Sequence, residues 1–346
     1  MTLLLPATPE NIDQAAETIK NGGLVAFPTE TVYGLGANAL DVDAVTRIFT
    51  AKGRPTADPL IVHLSEVGQV GLVAAFVSET AQTLMQAFWP GALTLVMPKR
   101  PEVPDLVTSE LDTVAVRIPD HPVALALIQA AGLPVAAPSA NRFGRTSPTT
   151  AQHVWRDLQG RVDIILDGGA TTIGVESTVL DVATTPARIL RPGGVTREML
   201  ESVIGAVEVL GQRRKPEKGL PSPGLLEKHY APQAEMVLFT GEQAEALLLA
   251  YLTEARQAGR TVGALAADAD VETLEQAGAV VYRLGSDIHS IARQVYSGMR
   301  WLDEQGVDVI VCRDFGESGL GLAIRDRLSR AASWVMGNLY YDELLP

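Results

Sequence analysis

The segment LVAFPTETVYGLG, residues 24–36, joins a short apolar run to a group of hydroxyl-bearing residues and glycines. The apolar run, residues 24–27, predicts a buried strand. Three hydroxyl side chains follow it directly, those of Thr29, Thr31 and Tyr33. Hydroxyl groups bind the polar parts of ligands, and glycines let a backbone approach a ligand closely. A capped turn between a strand and a helix would have the same composition, so the residues alone leave both interpretations open.

Strands and helices alternate on both sides of this segment. Helices are predicted at residues 11–20, 41–50, 80–88 and 122–131, and strands at residues 60–64, 93–97, 114–118, 135–137, 164–166 and 177–181. Several neighbouring strands have no helix between them, which favours a mixed sheet over an all-parallel one. The fold class predicted for this part of the chain is therefore α/β.

The composition changes at residues 211–233, which are rich in proline, glycine and charge and are typical of a linker. Beyond it, strands are predicted at residues 236–239, 261–266, 280–284 and 309–312, and helices at residues 242–258, 271–278, 288–305 and 324–334. This regular alternation predicts a small Rossmann-like parallel sheet, although no GxGxxG turn indicates a dinucleotide. We expect a domain at residues 1–210, a linker or lid at 211–233 and a second domain at 234–346.

The bulk composition restricts the class of protein. The chain has 346 residues, 47% of them hydrophobic, which suits two globular domains. Its net charge of −13 argues against RNA or DNA binding as the main function, because phosphate contacts supply most of that affinity. A local basic site for a small anion is compatible with this charge.

Cys312 is the only cysteine, so the sequence predicts neither an internal disulfide nor a cysteine-rich zinc site. The N-terminal residues do not have the pattern of a signal peptide, and no window approaches the ~20 apolar residues that cross a bilayer. We therefore expect a cytoplasmic protein that binds no membrane and does not bind nucleic acid stably.

Polar residues form four further clusters along the first part of the chain. The second cluster is AKGRPTADPLIVH, residues 51–63. Lys52 and Arg54 stand just past a predicted helix end, where the helix dipole favours cations. Arginine and lysine in such a place also bind phosphates, although the sequence contains no P-loop. His63 ends an apolar strand, where a structural histidine is more frequent than a ligand-binding one.

The third cluster is Thr113 and Arg117, on one predicted strand. A buried arginine is unfavourable unless it pairs with an anion, and either a ligand carboxylate or an internal Asp or Glu would serve.

The fourth cluster is APSANRFGRTSP, residues 137–148, and the fifth is GVESTVLD, residues 174–181, with ILRPG, residues 189–193. Two arginines in the fourth cluster of an acidic protein indicate an anionic ligand, but solvated loops and ordinary turns explain both clusters equally well. No Ser-His-Asp order, paired carboxylates or activated cysteine stands out. The clusters therefore point to a site that positions ligands and neutralises charge, without a covalent intermediate.

Five fragments, PTETVYGLG, KGRP followed by PLIVH, PSAN, ESTV and RPG, occur in this order. Together they resemble the YrdC-like domain. The segment SPGLLEKHYAP, residues 222–232, resembles the linker of the two-domain threonylcarbamoyl-AMP synthases, and the remainder is similar to their Rossmann-like C-terminal domain. The resemblance covers nearly the whole chain. It implies a YrdC-like twisted mixed sheet with a concave pocket, followed by a smaller domain with a parallel sheet.

The resemblance also implies roles for individual residues. The catalytic residues would be Lys52, Arg54 and Arg191. Threonine would be bound by Thr31, His63, Arg117, Ala137 and Ser177, with Arg117 pairing with its carboxylate. ATP would be bound by Arg54, Asp58, Thr113, Ser139, Asn141, Ser147, Arg191 and Tyr230. Tyr230 would form part of a lid over the nucleotide, and Asp58 stands where the family usually carries asparagine.

The activity implied by the resemblance condenses L-threonine, bicarbonate and ATP into threonylcarbamoyl-AMP and pyrophosphate, with Mg²⁺ bound through ATP. The product would pass to the tRNA threonylcarbamoyl-transfer machinery. An RNA-binding module is disfavoured by the net charge. A hydrogenase-maturation carbamoyltransferase is excluded by the single cysteine, because those chains carry cysteine-rich zinc sites. A docking or capping role for the C-terminal domain remains open.

Overall fold

The computed structural model describes residues 1–210 and 230–337. These residues form two compact units: a first unit of residues 1–143 and 147–210, and a second unit of residues 144–146 and 230–337. The predicted linker lies outside the described residues except for its last four, 230–233. Within the described part of the chain, no helix combines the length and apolar character that crossing a membrane requires.

The first unit contains one large sheet with helices. Its strands are β1 (Leu3–Pro6), β2 (Val25–Phe27), β3 (Gly34–Asn38), β4 (Ile61–His63), β5 (Leu93–Pro98), β6 (Thr113–Arg117), β7 (Val135–Ala136), β8 (Ile164–Asp167), β9 (Thr178–Asp181), β10 (Ala187–Arg191) and β11 (Val207–Val209). Its helices are α1 (Pro9–Lys20), α2 (Val42–Lys52), α3 (Glu79–Phe88), α4 (Asp105–Thr108), α5 (Pro122–Ala131), α6 (Ala151–Leu158) and α7 (Arg197–Ile204).

The sheet of the first unit is mixed, as the sequence predicts. The strand order is β1-β8-β2-β3-β7-β4-β6-β5-β9-β10-β11. The sheet contains parallel pairs, such as β4 with β6 and β5 with β9, and antiparallel pairs, such as β5 with β6 and β3 with β7. This order brings strands that are far apart in sequence side by side in the middle of the sheet.

The central strands have two different faces, because successive side chains of a strand point to opposite sides. On one face, Val62, Leu95, Val116 and their neighbours belong to the main core of the unit. On the other face lies a much smaller apolar cluster of Ile61, Val96, Ala115, Val179 and Leu190. The second face is called the site face below.

Helix α2 shows how local signals place functional residues. The Asp41 side chain caps the helix by accepting hydrogen bonds from the backbone amides of Asp43 and Ala44. Gly53 ends it with a left-handed φ of 66°, a conformation that glycine adopts at little cost. Lys52 therefore occupies the last turn of α2, and Arg54 begins the loop that leads to β4.

The second unit has a five-stranded sheet in which all pairs are parallel, in the order β14-β13-β15-β12-β16. The strands are β12 (Glu235–Thr240), β13 (Val262–Ala267), β14 (Val280–Gly285), β15 (Val309–Arg313) and β16 (Trp334–Gly337), and the helices are α8 (Ala244–Gln257), α9 (Val271–Gln276), α10 (Ile288–Glu304) and α11 (Gly319–Ala331). Helices α8 and α9 pack on the sheet in one apolar cluster, and α10 packs against α11. The predicted Rossmann-like architecture is confirmed.

The last predicted helix, residues 324–334, is wrong at both ends. Helix α11 begins five residues earlier, at Gly319, and ends at Ala331. Trp334 starts strand β16, which lies beside Val237 at the edge of the sheet. Helical periodicity extends easily over a short edge strand, because only its pairing with β12 defines the strand.

Candidate functional site

The site face carries a polar row next to an apolar row. Because β4 pairs with β6 in parallel register, Ile61 lies beside Ala115 and His63 lies beside Arg117. On the other side of β6, Val96 of β5 also lies beside Ala115. Ile61, Ala115 and Val96 thus form an apolar row. The polar side chains of His63 and Arg117 lie two residues further along their strands on the same face.

Arg117 is held firmly in this polar row. Its Nε donates to the carbonyl of Gly91 at 3.0 Å, and its NH1 donates to the hydroxyl of Thr31 at 3.0 Å. The side chain is only 4% exposed, so its charge needs an anion nearby. Glu30 supplies one, with Oε1 at 2.6 Å from Arg117 NH2. The internal carboxylate that the sequence left open as a partner of Arg117 is therefore Glu30.

The hydroxyl of Thr31 belongs to a small network beside Arg117. It lies 2.8 Å from the hydroxyl of Thr29, which also donates to the carbonyl of Val32. The Thr29 hydroxyl accepts from the amides of Thr31 and Val32, so it caps the turn after β2. The capped turn and the site hydroxyl are thus parts of one structure. The two interpretations of this segment do not exclude each other.

His63 is buried and uncharged. Its Nδ1 lies 3.2 Å from the carbonyl of Ile61, and its ring meets Phe27 edge to face. Burial first, and the charge of the neighbouring Arg117 guanidinium second, lower the pKa of the His63 imidazole to about 3. A neutral imidazole beside Arg117 offers a hydrogen bond without adding a second positive charge.

Ser177 continues the polar row toward β9. Its hydroxyl lies 2.8 Å from that of Thr94, a fully buried residue of β5. Arg191 NH2 donates to the Ser177 carbonyl at 3.0 Å and to its hydroxyl at 3.3 Å. Gly193 makes this possible, because a Cβ there would come within 2.3 Å of the Ser177 backbone.

Lys52 lies in the last turn of α2, beside the loop of the fourth cluster. Its ammonium donates to the carbonyls of Ser139 and Asn141, at 2.5 Å each. Burial, and secondly the charge of Arg54, hold the pKa of Lys52 well below its usual value. Lys52 therefore joins the second cluster to the loop of the fourth cluster.

Arg54 and Asp58 form a buried ion pair, with NH2 at 2.9 Å from Oδ2. Arg54 also donates to the carbonyls of Asp58 and Pro59. The Asp58 side chain is fully buried, so its negative charge acts directly on Arg54. Asp58, the residue that departs from the family pattern, is thus the counter-ion of Arg54, which is predicted to bind phosphate.

Hydrogen bonds join all five clusters into one site. Arg117 of the third cluster binds Thr31 of the first, and Lys52 of the second binds the fourth. The first cluster receives a bond from the fifth, from the Gly174 amide to the Thr31 carbonyl. The fourth donates to the fifth, from the Ser147 hydroxyl to Glu176 Oε1 at 2.6 Å.

The remaining predicted residues of the first unit lie around this network. Ser139 bridges to Gly34 of β3, and the Ala137 amide donates to the carbonyl of Ile61. Thr113 shares the site face with Arg117 but stands at the opposite end of β6, about 13 Å along the strand. The polar residues of β6 on the site face are therefore separated by most of the length of the strand. The substrate-binding and catalytic roles given to these residues remain predictions.

Tyr230 belongs to the second unit. Its ring is buried, stacks on Tyr296 at 5.8 Å between centroids and lies 5.4 Å from the guanidinium of Arg327. Its backbone is left-handed, with φ of 63°, and its carbonyl accepts from the Thr146 hydroxyl. The predicted role of Tyr230 over the nucleotide stays a prediction, and most of the predicted lid lies outside the described residues.

Glu30 and Thr94 are among the site residues that were not predicted. Glu30 lies within residues 24–36, but the sequence does not indicate that its side chain points toward Arg117. Thr94 lies in an apolar run, and only the pairing of β5 with β9 brings it to Ser177. A polar residue within an otherwise apolar strand is the one signal that could have identified Thr94.

Comparisons with known proteins agree with this geometry. A family model described as telomere recombination matches residues 17–193, and one described as threonylcarbamoyl-AMP synthase, C-terminal domain, matches residues 195–333. The chain is 45% identical to threonylcarbamoyl-AMP synthase of Pyrococcus abyssi, over 92% of this chain and 93% of that protein. It is 46% identical to the Bacillus subtilis protein of the same name, over 95% and 94%.

A solved structure is similar over nearly the whole chain. The crystal structure of P. abyssi Sua5 complexed with L-threonine has a TM-score of 0.90 and 41% identity, and covers 98% of this chain and 99% of that one. The two-domain architecture is thus shared along with the sequence.

Proposed function

Since the chain belongs to the threonylcarbamoyl-AMP synthase family, we propose that its site face seats L-threonine at Arg117 and the ATP phosphates at the Lys52 and Arg54 end. The chain is an enzyme that uses ATP to make threonylcarbamoyl-AMP, an adenylate that serves tRNA modification. One observation carries the placement of threonine: Arg117 is buried, fixed by Gly91 and Thr31, and keeps NH2 without a hydrogen bond to any described residue.

The third substrate in this proposal is bicarbonate. The threonine amine adds to the carbon of bicarbonate, or of carbon dioxide formed from it, and water leaves. The new carboxylate attacks the α-phosphorus of ATP, and pyrophosphate departs. Transfers of this kind need orientation and charge stabilisation more than a protein nucleophile. The site offers basic groups for this in the buried side chains of Lys52, Arg54, Arg117 and Arg191.

Magnesium is part of the proposal as an ion bound through ATP. Mg²⁺ is usually held by phosphates and one or two carboxylates, and it would neutralise phosphate charge. In the described part of the chain, no group of three or more histidine, cysteine or carboxylate side chains could hold a metal ion. The buried Asp58 and Glu176 fit this type of binding, because each stands beside a predicted ATP-binding residue, Arg54 and Ser147.

Release of pyrophosphate tests the function directly. Purified protein is given ATP, Mg²⁺, L-threonine and bicarbonate, and each component is then left out in turn. We expect pyrophosphate only with the complete mixture, and a product with the mass of threonylcarbamoyl-AMP. Release without threonine, or AMP as the only nucleotide product, would contradict the proposal.

A surface variant provides the control for folding and handling. Arg47→Ala removes an exposed ion pair with Asp163, far from the proposed chemistry, and should leave pyrophosphate release unchanged. The proposal also includes a cytoplasmic location and transfer of the product to the tRNA-modifying machinery. Cell fractionation and the loss of threonylcarbamoyladenosine from tRNA on deletion of the gene test these two points.

A further inference from the structure

Glu30 is a buried carboxylate whose backbone is fixed and whose charge faces the site. Its carbonyl accepts from the amide of Ile173 at 2.8 Å, which anchors the turn after β2. Its side chain is 6% exposed and lies 2.6 Å from Arg117 NH2.

Hydrogen bonding at this ion pair is incomplete. Neither carboxylate oxygen of Glu30 makes a hydrogen bond to any residue of 1–210 or 230–337, and neither does Arg117 NH2. The two groups attract each other through charge, but their contact is not aligned as a hydrogen bond. A buried carboxylate without donors is unfavourable, and such groups in folded proteins are almost always satisfied by a partner.

Arg117 does not depend on Glu30 for its position. Its Nε and NH1 are already bound to Gly91 and Thr31. What remains at the site is one donor that lacks an acceptor, next to two acceptors that lack donors. An α-amino acid is the small molecule that carries an acceptor and a donor, both charged, on one carbon atom.

We propose that Glu30 binds the α-ammonium group of the amino-acid substrate while Arg117 binds its α-carboxylate. The four charges then alternate around the substrate, and each buried group gains a charge-assisted hydrogen bond. This inference rests on the proposed function, since it assigns the second half of the threonine site. It also defines a substrate class: the site selects zwitterions and rejects carboxylates that lack an amine, because these leave Glu30 without a partner.

The neighbouring titratable groups are compatible with this assignment. His63 is neutral, because burial and Arg117 lower the pKa of its imidazole to about 3. Burial also lowers the pKa of His121, the histidine on which the Glu30 charge acts. Arg117 is therefore the principal positive charge near Glu30 in the free protein, and the substrate ammonium adds a second.

The variant Glu30→Gln tests the assignment with two ligands. L-threonine and 3-hydroxybutyrate, which is threonine without its amine, are titrated by calorimetry into wild type and variant. We expect L-threonine to bind roughly ten- to a hundredfold more weakly to the variant, as for a lost hydrogen bond between charged groups. We expect 3-hydroxybutyrate to bind as well as or better than before, because the competing negative charge is gone.

The opposite pattern would overturn the assignment. If both ligands weaken together, Glu30 only positions Arg117, and if threonine binding is unchanged, Glu30 does not contact the ammonium. Glu17→Gln, at a side chain that is 63% exposed, is the matched control and should change neither affinity. ATP binding should be the same in all three proteins.

Wild-type protein alone supplies a second test if Glu30→Gln does not fold. It should bind L-threonine at least roughly tenfold more tightly than 3-hydroxybutyrate. Equal affinities would overturn the assignment. Failure of the proposed function is a separate result, because the wild-type protein would then not release pyrophosphate with threonine at all.

Discussion

Arg117 of the first unit and Arg327 of the second are both buried arginines with a carboxylate beside them. Arg327 is fully buried, donates to Asp326 and lies over the ring of Tyr230. Asp326 also accepts from Arg330, so this carboxylate has two donors. Arg117 and Glu30 are equally close, but neither the NH2 group nor the carboxylate makes a hydrogen bond to the described residues.

The difference shows that burial of an arginine does not by itself mark a site. In a charge pair with aligned hydrogen bonds, the polar groups already have partners within the protein, and removing one of them destabilises the fold. In the Arg117–Glu30 pair the unaligned donor and acceptors are proposed to bind a ligand. The predictions below test this distinction, beginning with the largest expected effect.

Arg117→Ala should have the largest effect on activity. We expect kcat/KM for L-threonine to fall about 10³-fold, since truncating a buried charge partner costs roughly 2–5 kcal/mol. The affinity for ATP should change by less than about threefold, because ATP is expected at the other end of the site. Steady-state kinetics and ATP titration measure the two effects. Equal losses for both substrates would contradict the proposal that Arg117 binds threonine and not ATP.

The charge left behind needs its own control. Arg117→Ala leaves Glu30 buried without its counter-ion, which would also lower stability. The double variant Arg117→Met with Glu30→Gln removes both charges and should regain most of that stability. Its threonine use should stay as low as in the single variant, which separates a binding defect from a folding defect.

Arg327→Met should lower stability without affecting threonine binding. We expect the second unit to lose about 3 kcal/mol, because Asp326 stays buried with only Arg330 as a partner. Binding of L-threonine should not change. Hydrogen exchange of the β12 amides and threonine titration measure these two effects. A weakened threonine affinity with unchanged protection of β12 would mean that the arginines do not differ as proposed.

The sequence predicted the central strands of the first unit better than the strands at its edges. Local apolar runs identify β4, β5 and β6, and caps such as Asp41 mark helix starts. Strand β1 was missed, because its four residues are partly exposed and only pairing with β8 defines it. Edge strands depend on partners far away in the chain, and no local pattern records those partners.

The site was predictable as a set of residues but not as a set of contacts. The motifs indicate Arg117, Lys52 and Arg54, whereas strand register decides the neighbours of Arg117 and packing of α2 and its following loop decides those of Lys52 and Arg54. Asp58 is four residues from Arg54 and could have turned to solvent, yet it is fully buried against the guanidinium. The counter-ions Glu30 and Asp58 come from side-chain directions, which follow from packing around the site and not from a sequence pattern.

His63 tests the buried polar row without removing a charge pair. Its imidazole has a pKa of about 3 in the folded protein, because of burial first and Arg117 second, against 6.5 in the unfolded chain. Above pH 6.5 neither state is protonated. As the pH falls below 6.5, only the unfolded state takes up the proton, so stability declines by up to about 1.4 kcal/mol per unit until pH 3.

His63→Gln should therefore flatten the acid side of the stability curve. Between pH 6.5 and 5 the wild type should lose about 2 kcal/mol more than the variant. Urea unfolding at the two pH values measures this difference, with His289→Gln, on an exposed residue of α10, as control. If wild type and His63→Gln show the same decline, His63 is already solvated or charged in the folded state.

Asp58→Asn should have the smallest effect, and it compares the two ends of the site. At the Arg117 end the internal carboxylate is proposed to gain a partner when substrate binds. At the Arg54 end Asp58 is a fully buried counter-ion, 2.9 Å from Arg54 NH2, and it competes with incoming phosphate for the same guanidinium. Removing that competition should tighten ATP binding about tenfold, or 1.4 kcal/mol, in the absence of Mg²⁺.

The effect of Asp58→Asn on ATP binding should depend on Mg²⁺. With Mg²⁺ present, the ion offsets the charges of phosphate and Asp58 together, so the gain in affinity from Asp58→Asn should shrink. The free variant should be less stable than wild type, because Arg54 is left buried without its anion, and ATP should raise its melting temperature by a larger amount. If ATP instead binds more weakly to Asp58→Asn, and only when Mg²⁺ is present, then Asp58 is a ligand of the metal and the two ends of the site use their carboxylates in the same way.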